Sequence, residues 1–168
     1  LKLKNIIPNH LSIIIDKLIQ SGAKIDIKDN SLTIKMDKKP SSVDITTAIY
    51  PGFPTDLQAQ WMALMSICTG SSTIVDQIYT DRFTHIAELE RLGAHIHLDS
   101  NIATVNGVDY LTGAQVMSTD IRASASLVLA ALAAKGKTEI SRIYHIDRGY
   151  EKIEEKFQKI GGQINRIR

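Results

Sequence analysis

Residues 54–70, PTDLQAQWMALMSICTG, and residues 118–136, STDIRASASLVLAALAAKG, follow one plan: Thr-Asp, an apolar helical run, then glycine. Both runs are apolar on nearly every face, which predicts helices over 57–69 and 121–135 that are buried all round. Each glycine is followed by a short strand pattern, STIVDQIY (72–79) or KTEISRIY (137–144). An acidic-arginine pair, Asp81-Arg82 or Asp147-Arg148, then opens a second helix, expected over 84–92 and 148–160. These second helices carry one apolar stripe and one charged face, the pattern of a helix packed on one side only.

Three segments close in the same way: IIIDKLIQSGAKIDI (13–27), IAELERLGAHIHL (86–98) and IEEKFQKIGGQINRI (153–167). In each, a helical pattern runs into a glycine and then alternates like a strand. Gly22, Gly93 and Gly161 therefore mark equivalent helix ends, where a left-handed residue costs least as glycine. The chain reads as an α/β (α+β) domain over 1–168, built from a repeated strand-helix-strand-helix-strand-strand unit with apolar helices inside and sheets outside. A partial copy covers 1–47, and further copies cover 48–110 and 111–168. The first copy opens just before its second helix, near residues 8–11, so earlier elements are expected upstream. The polar stretch KMDKKPSS (35–42) is the candidate flexible joint between the first two copies.

Composition narrows the function. The 168 residues are 43% hydrophobic, with 20 basic against 18 acidic side chains spread along the chain and a net charge of +2. No basic block marks a nucleic-acid footprint. No apolar run approaches the length of a membrane span, and the opening LKLKNIIPNH lacks the apolar core of a signal peptide. A cytoplasmic protein is the expectation. Cys68, the single cysteine, sits on an apolar helical face and reads as a buried thiol.

Candidate chemistry gathers at expected helix starts. Arg82, Arg122 and Arg148 each fall at such a start, where the helix dipole makes a further cation unfavourable by about 0.3–1 kcal/mol unless an anion is present. A guanidinium beside free helix N–H groups makes a cradle for phosphate or carboxylate; local pairing with Asp81, Asp120 and Asp147 is the alternative. Asp56 and Asp120 read either as N-caps or as carboxylates placed to accept a substrate proton. The approach YPGFPTD (50–56) favours placement for Asp56, because its prolines remove backbone freedom that a plain cap does not need. His95 and His97 share a strand face, but no third ligand follows at metal-binding spacing, so no metal is expected. His145 lies beside Asp147 and Arg148 in the anion-site loop, where a polar role is open. No Gly-Lys-Ser/Thr phosphate loop is present.

The strings FPTDLQAQ (53–60), DRFTHIAELERLGA (81–94), LTGAQVMSTDIRASASLVLA (111–130) and IYHIDRGYEKIEEKFQKIGG (143–162) carry a resemblance. In this order they resemble the C-terminal part of the UDP-N-acetylglucosamine 1-carboxyvinyltransferase family, the enolpyruvyl transferases of bacterial cell-wall synthesis. The likeness runs from about Ile6 to Arg168. The 3-phosphoshikimate enzymes share the repeat architecture but resemble these strings less.

The resemblance implies an inside-out α/β barrel domain and transfer of enolpyruvyl from phosphoenolpyruvate to the 3-hydroxyl of UDP-N-acetylglucosamine by addition and elimination, without cofactor. By position it assigns Asp56 as the base and Asp120 as a second carboxylate at the reacting centre. Arg122 and Arg148 fall on the phosphoenolpyruvate side, Arg82 elsewhere in the cleft, and Ile78 where a backbone group meets the sugar nucleotide. Family members are more than twice this length and close two domains over their substrates. The loop with the family's reactive cysteine has no counterpart here, and Cys68 does not match it. The N-terminal lysine and asparagine and the other domain's arginine are also without counterparts. The chain alone is therefore expected to be inactive, with an anion- or sugar-nucleotide-binding fragment as the alternative, and to self-associate or to pair with an N-terminal domain.

Overall fold

The computed structural model describes residues 1–167. The first copy contributes β1 (Lys2–Lys4), α1 (Ser12–Gln20), β2 (Lys24–Lys28) and β3 (Ser31–Lys35). The second contributes β4 (Ile45–Thr46), α2 (Gln58–Met65), β5 (Ser71–Val75), α3 (Ile86–Arg91), β6 (His95–Asp99) and β7 (Ile102–Asn106). The third contributes β8 (Gln115–Met117), α4 (Ile121–Ala133), β9 (Glu139–Ser141), α5 (Tyr144–Asp147) and α6 (Ile153–Gln158). β4 falls within the expected first copy but pairs with β5, as β8 does with β9, and so belongs with the second.

Sheet pairing shows how the copies correspond. The central sheet has the order β4-β5-β7-β6, with β4 parallel to β5 (Ile45 opposite Ile74) and β5 antiparallel to β7. The order β1-β3-β2 reproduces the β5-β7-β6 part, and β8 parallel to β9 (Val116 opposite Ile140) reproduces β4-β5. Glycine ends all three outer helices with one hydrogen-bond pattern. Gly22, Gly93 and Gly161 have φ of 102°, 89° and 94°, and the next residue's N–H reaches back to the carbonyl of Leu18, Leu89 or Phe157. That is the Schellman closure, which satisfies carbonyls the helix end would otherwise orphan.

The core lies around α2 and α4, which pack against each other. Trp61, Met62 and Met65 of α2 and Leu127 and Val128 of α4 are buried, each burial of this kind contributing about 1.5–3 kcal/mol. Small residues allow the close approach: Ala123, Ser124, Ala125 and Ser126 are all buried, and the serine hydroxyls donate back to the Asp120 and Ala123 carbonyls. The Trp61 indole donates to the Val43 carbonyl at 3.2 Å and meets Phe53 edge-on. The strands β2 and β6 present mostly exposed residues, so sheets face solvent and apolar helices face inward. No helix among the described residues is long and apolar enough to cross a membrane.

Three expectations need correction. The helix expected over 148–160 is two short helices, α5 and α6, with Arg148 at the C-terminal cap of α5. The chain turns at Gly149, where an added Cβ would stand 2.8 Å from Ile121 Cγ2, so any side chain there would push Ile121 aside at the start of α4. Arg82 lies in a turn before α3, which begins at Ile86. The alternating stretch after Gly161 forms no strand. In the second copy β6 pairs only with the return strand β7, whereas residues 162–167 have no strand partner among the described residues. The 35–42 turn is hydrogen-bonded on both sides, Ser41 N–H donating to Ser21 O and Ser42 N–H to Thr69 O.

Candidate functional site

The two Thr-Asp starts differ in what the aspartate does. Asp120 caps α4: with φ −154° and ψ 175°, its Oδ1 accepts from the N–H groups of Arg122 (2.8 Å) and Ala123 (3.1 Å). Its Oδ2 has no hydrogen-bond donor among the described residues. Asp56 caps nothing. It sits inside a 3-10 turn, Thr55–Leu57, whose N-terminus and that of α2 both lack a side-chain cap. Its carboxylate instead accepts a hydrogen bond from Arg122 Nε. Arg82 Nη1 stands 3.9 Å from the same oxygen.

One carboxylate and two guanidinium groups from three segments therefore converge on one point. Arg122 comes from the first turn of α4, Arg82 from the turn before α3, and Asp56 from the rigid approach to α2. The Asp56 side chain is 64% exposed, Arg122 35% and Arg82 19%, so the cluster is open on one side. Arg82 lies over the Tyr79 ring, 3.8 Å from its centroid, and its buried Nη1 has no hydrogen-bond partner among the described residues. A guanidinium held by stacking, with N–H groups still unfilled, is prepared to take an anion.

Arg148 is exposed, and its side chain makes no hydrogen bond or ion pair among the described residues. Its neighbour Asp147 pairs with Arg166 through two hydrogen bonds of 2.7 and 3.0 Å, which holds the Asp147 carboxyl below the usual carboxylate range. The Arg148 turn reaches the starts of both core helices, through Gly149 against Ile121 and Tyr150 Oη accepting from Gln60 Nε2 at 3.5 Å. Thr84 and Thr119 share a 3.2 Å hydrogen bond that ties the Arg82 turn to Asp120.

Behind these residues sits His85, buried, with Nε2 unpartnered and its ring against Phe83. Burial pushes its pKa down to about 4, opposed by the Asp120 charge, so it is neutral beside that carboxylate near pH 7. Sequence reasoning passed over His85. It also passed over Asp76, fully buried at the end of β5, whose carboxylate accepts four hydrogen bonds. Ile78 lies in the turn that Asp76 ties down, its N–H donating to Asp76 Oδ1 at 3.0 Å.

The remaining expected residues lie elsewhere. His95 and His97 are on the exposed face of β6, and no group of three metal-ligating side chains occurs among the described residues. The His145 ring lies tilted against that of Tyr144, centroids 4.3 Å apart. Cys68 is buried in the core, its pKa raised by burial. An apolar groove of about 320 Å³ between α1, α2 and α4 is lined by Ile14, Leu18, Leu57, Trp61, Leu64 and Leu129, and no charged side chain lines it to bind an anion.

Comparison with known proteins adds to this geometry. A family profile described as EPSP synthase (3-phosphoshikimate 1-carboxyvinyltransferase) matches residues 1–157. The chain is 52% identical over 168 residues to the UDP-N-acetylglucosamine 1-carboxyvinyltransferase of Helicobacter pylori (strain ATCC 700392 / 26695), covering 100% of this chain and 40% of that protein. It is also 52% identical over 159 residues to the protein of that name from Pelodictyon phaeoclathratiforme, covering 95% of this chain and 38% of that protein. Among solved structures, the enolpyruvyl transferase NikO from Streptomyces tendae aligns with a TM-score of 0.83 at 30% identity, over 92% of this chain and 36% of that one. An EPSP synthase from Acinetobacter baumannii aligns at 0.62 and 17% identity over 83% of this chain and 34% of that one, a likeness of fold. The chain thus spans about 40% of the length of the curated relatives it matches.

Proposed function

Because the chain belongs to the EPSP synthase (3-phosphoshikimate 1-carboxyvinyltransferase) family, we propose that it forms one side of an enolpyruvyl-transfer site. The reaction proposed is transfer from phosphoenolpyruvate to the 3-hydroxyl of UDP-N-acetylglucosamine, in peptidoglycan precursor synthesis in the bacterial cytoplasm. The observation that carries this reading is that Asp56 leaves its own helix uncapped and meets Arg122 and Arg82 instead.

In this reading Asp56 accepts the proton of the sugar hydroxyl as its oxygen adds to C2 of phosphoenolpyruvate, while C3 takes up a proton. Loss of a proton from C3 with departure of phosphate then restores the double bond. Arg122 and Arg148 hold the phosphoenolpyruvate anions, and Arg82 stabilises charge nearby. Asp120, with Oδ1 engaged by the cap and Oδ2 open, assists proton transfer. The Ile78 backbone meets the sugar nucleotide.

With the cluster open on one side, the rest of the relatives' length would supply the opposing wall and the water exclusion that transfer needs. The apolar groove beside α2 is the surface on which an N-terminal part, or a second copy, would pack. A 3-phosphoshikimate acceptor is the second reading, favoured by the description of the family profile. Titration with UDP-N-acetylglucosamine and with shikimate 3-phosphate, observed through the Asp56 and Ile78 amides, separates the two. Shifts with the sugar nucleotide alone support the first reading, and shifts with shikimate 3-phosphate alone replace it with the second.

A further inference from the structure

We infer that Asp76 is a positioning residue which locks the candidate base Asp56 and the Ile78 backbone into one rigid frame, an inference that rests on the sugar-nucleotide reading above. Its Oδ1 accepts from Thr47 Oγ1 (2.7 Å), Ile78 N–H (3.0 Å) and Tyr79 N–H (2.9 Å), and its Oδ2 accepts from Thr55 Oγ1 (2.8 Å). Thr55 immediately precedes Asp56. One carboxylate therefore joins, through opposite oxygens, the residue that delivers the base and the turn that presents Ile78 and Tyr79. Tyr79 in turn carries the Arg82 guanidinium on its ring.

The frame continues outward. Thr47 Oγ1 accepts from Gln77 N–H at 3.0 Å, and the Asp76 carbonyl accepts from Asn101 Nδ2 at 2.9 Å. Burial pushes the Asp76 carboxyl up, but the Thr47 and Thr55 hydroxyls and the two N–H groups outweigh it and hold it below the ordinary range. A buried carboxylate is costly unless its lone pairs are filled in this way.

The internal repeat forms the same strand pairing without this carboxylate. Ser118 N–H donates to Ser141 O in the third copy as Thr47 N–H donates to Val75 O in the second, so Ser118 stands for Thr47 and Arg142 for Asp76. Arg142 is exposed, and the buried Ser118 hydroxyl has no partner among the described residues. In the first copy the pairing of Lys4 with Ser31 matches that of Val75 with Ile102, so Asn5, which is exposed, takes the corresponding place. The strand pairing thus recurs in three copies, but Asn5 and Arg142 leave it through left-handed backbone (φ 57° and 54°) where Asp76 does not, and only the copy that carries Asp56 and Ile78 has a satisfied buried carboxylate there.

Asp76→Asn and the nearly isosteric Thr55→Val test this by NMR on the whole chain, with UDP-N-acetylglucosamine and phosphoenolpyruvate titrated separately. The Arg122 Nε–H resonance, which reports the Asp56 contact, is expected to shift in both variants. Ile78 and Tyr79 amides are expected to exchange about tenfold faster in Asp76→Asn only. Sugar-nucleotide affinity is expected to fall about tenfold in both, with phosphoenolpyruvate affinity unchanged within about twofold. An unmoved Arg122 signal in both variants overturns the inference. So does a parallel loss of both ligands together with faster exchange throughout α4, which marks a folding role. If the unaltered chain binds neither ligand, the functional reading fails by itself, and the Arg122 and Ile78 signals still decide the role of Asp76.

Discussion

Arg122, rooted in the first turn of α4, donates through Nε to the carboxylate of Asp56, rooted before α2. The pair joins the two core helices at their N-terminal ends, yet Asp56 is 64% exposed and Arg122 35%. Exposed pairs contribute about 0.2–1 kcal/mol. Arg122→Ala is therefore expected to lower unfolding stability by no more than about 1 kcal/mol, read by urea denaturation. A loss several times larger would mean that the pair serves the fold.

Asp120 should behave in the opposite way. Its Oδ1 satisfies two N–H groups of α4, so Asp120→Ala is expected to cost about 0.5–2 kcal/mol of stability. Asn is as good an N-cap, and Asp120→Asn should keep that stability while removing the open carboxylate oxygen. Equal losses in the two variants by urea denaturation would contradict the cap assignment.

His85 sets a pH dependence. Its folded pKa of about 4 lies below the ordinary value of 6.5, so the unfolded chain takes up this proton first as pH falls. The contribution is fully present above pH 6.5 and drains away between 6.5 and about 4, up to about 3 kcal/mol in all. Carboxylates held down by partners, such as Asp147 with Arg166, act lower in the range. Unfolding free energy measured from pH 6.5 to 5 should therefore fall for the unaltered chain and stay nearly level in His85→Phe. Equal slopes would place the titration elsewhere.

The chain alone should not turn over. Proton transfer and phosphate departure need a closed, water-poor site, and the Asp56 cluster is open to solvent on one side. A steady-state phosphate-release assay with both substrates is expected to stay at background, and turnover above it would contradict the one-sided site.

Much of the fold was legible in the sequence because the repeat advertised itself: the Thr-Asp starts, the apolar helices and the three glycines all stand at equivalent places in the structure. The break between α5 and α6 was hidden because Ile146, Tyr150, Ile153 and Phe157 keep helical spacing across it, while the deciding contact, Gly149 against Ile121, is long-range. For Asp56 and Asp120 the sequence left cap and site readings open, since both sit at Thr-Asp before an apolar helix. Position in the turn separates them: the extended cap residue is Pro54 in one copy, which leaves Asp56 inside the 3-10 turn, and Asp120 itself in the other, with its side chain turned to the helix. Asp76 escaped notice because an aspartate after a strand looks the same whether it faces solvent or, as here, gathers Thr47, Thr55, Ile78 and Tyr79 from sequence-distant and local positions.

The most direct test of the proposed half-site is calorimetric titration of phosphoenolpyruvate into the chain and into Arg122→Ala. Saturable binding by the unaltered chain, weakened by about tenfold or more in the variant, is the predicted result. No binding by the unaltered chain, or equal binding by both, would contradict it.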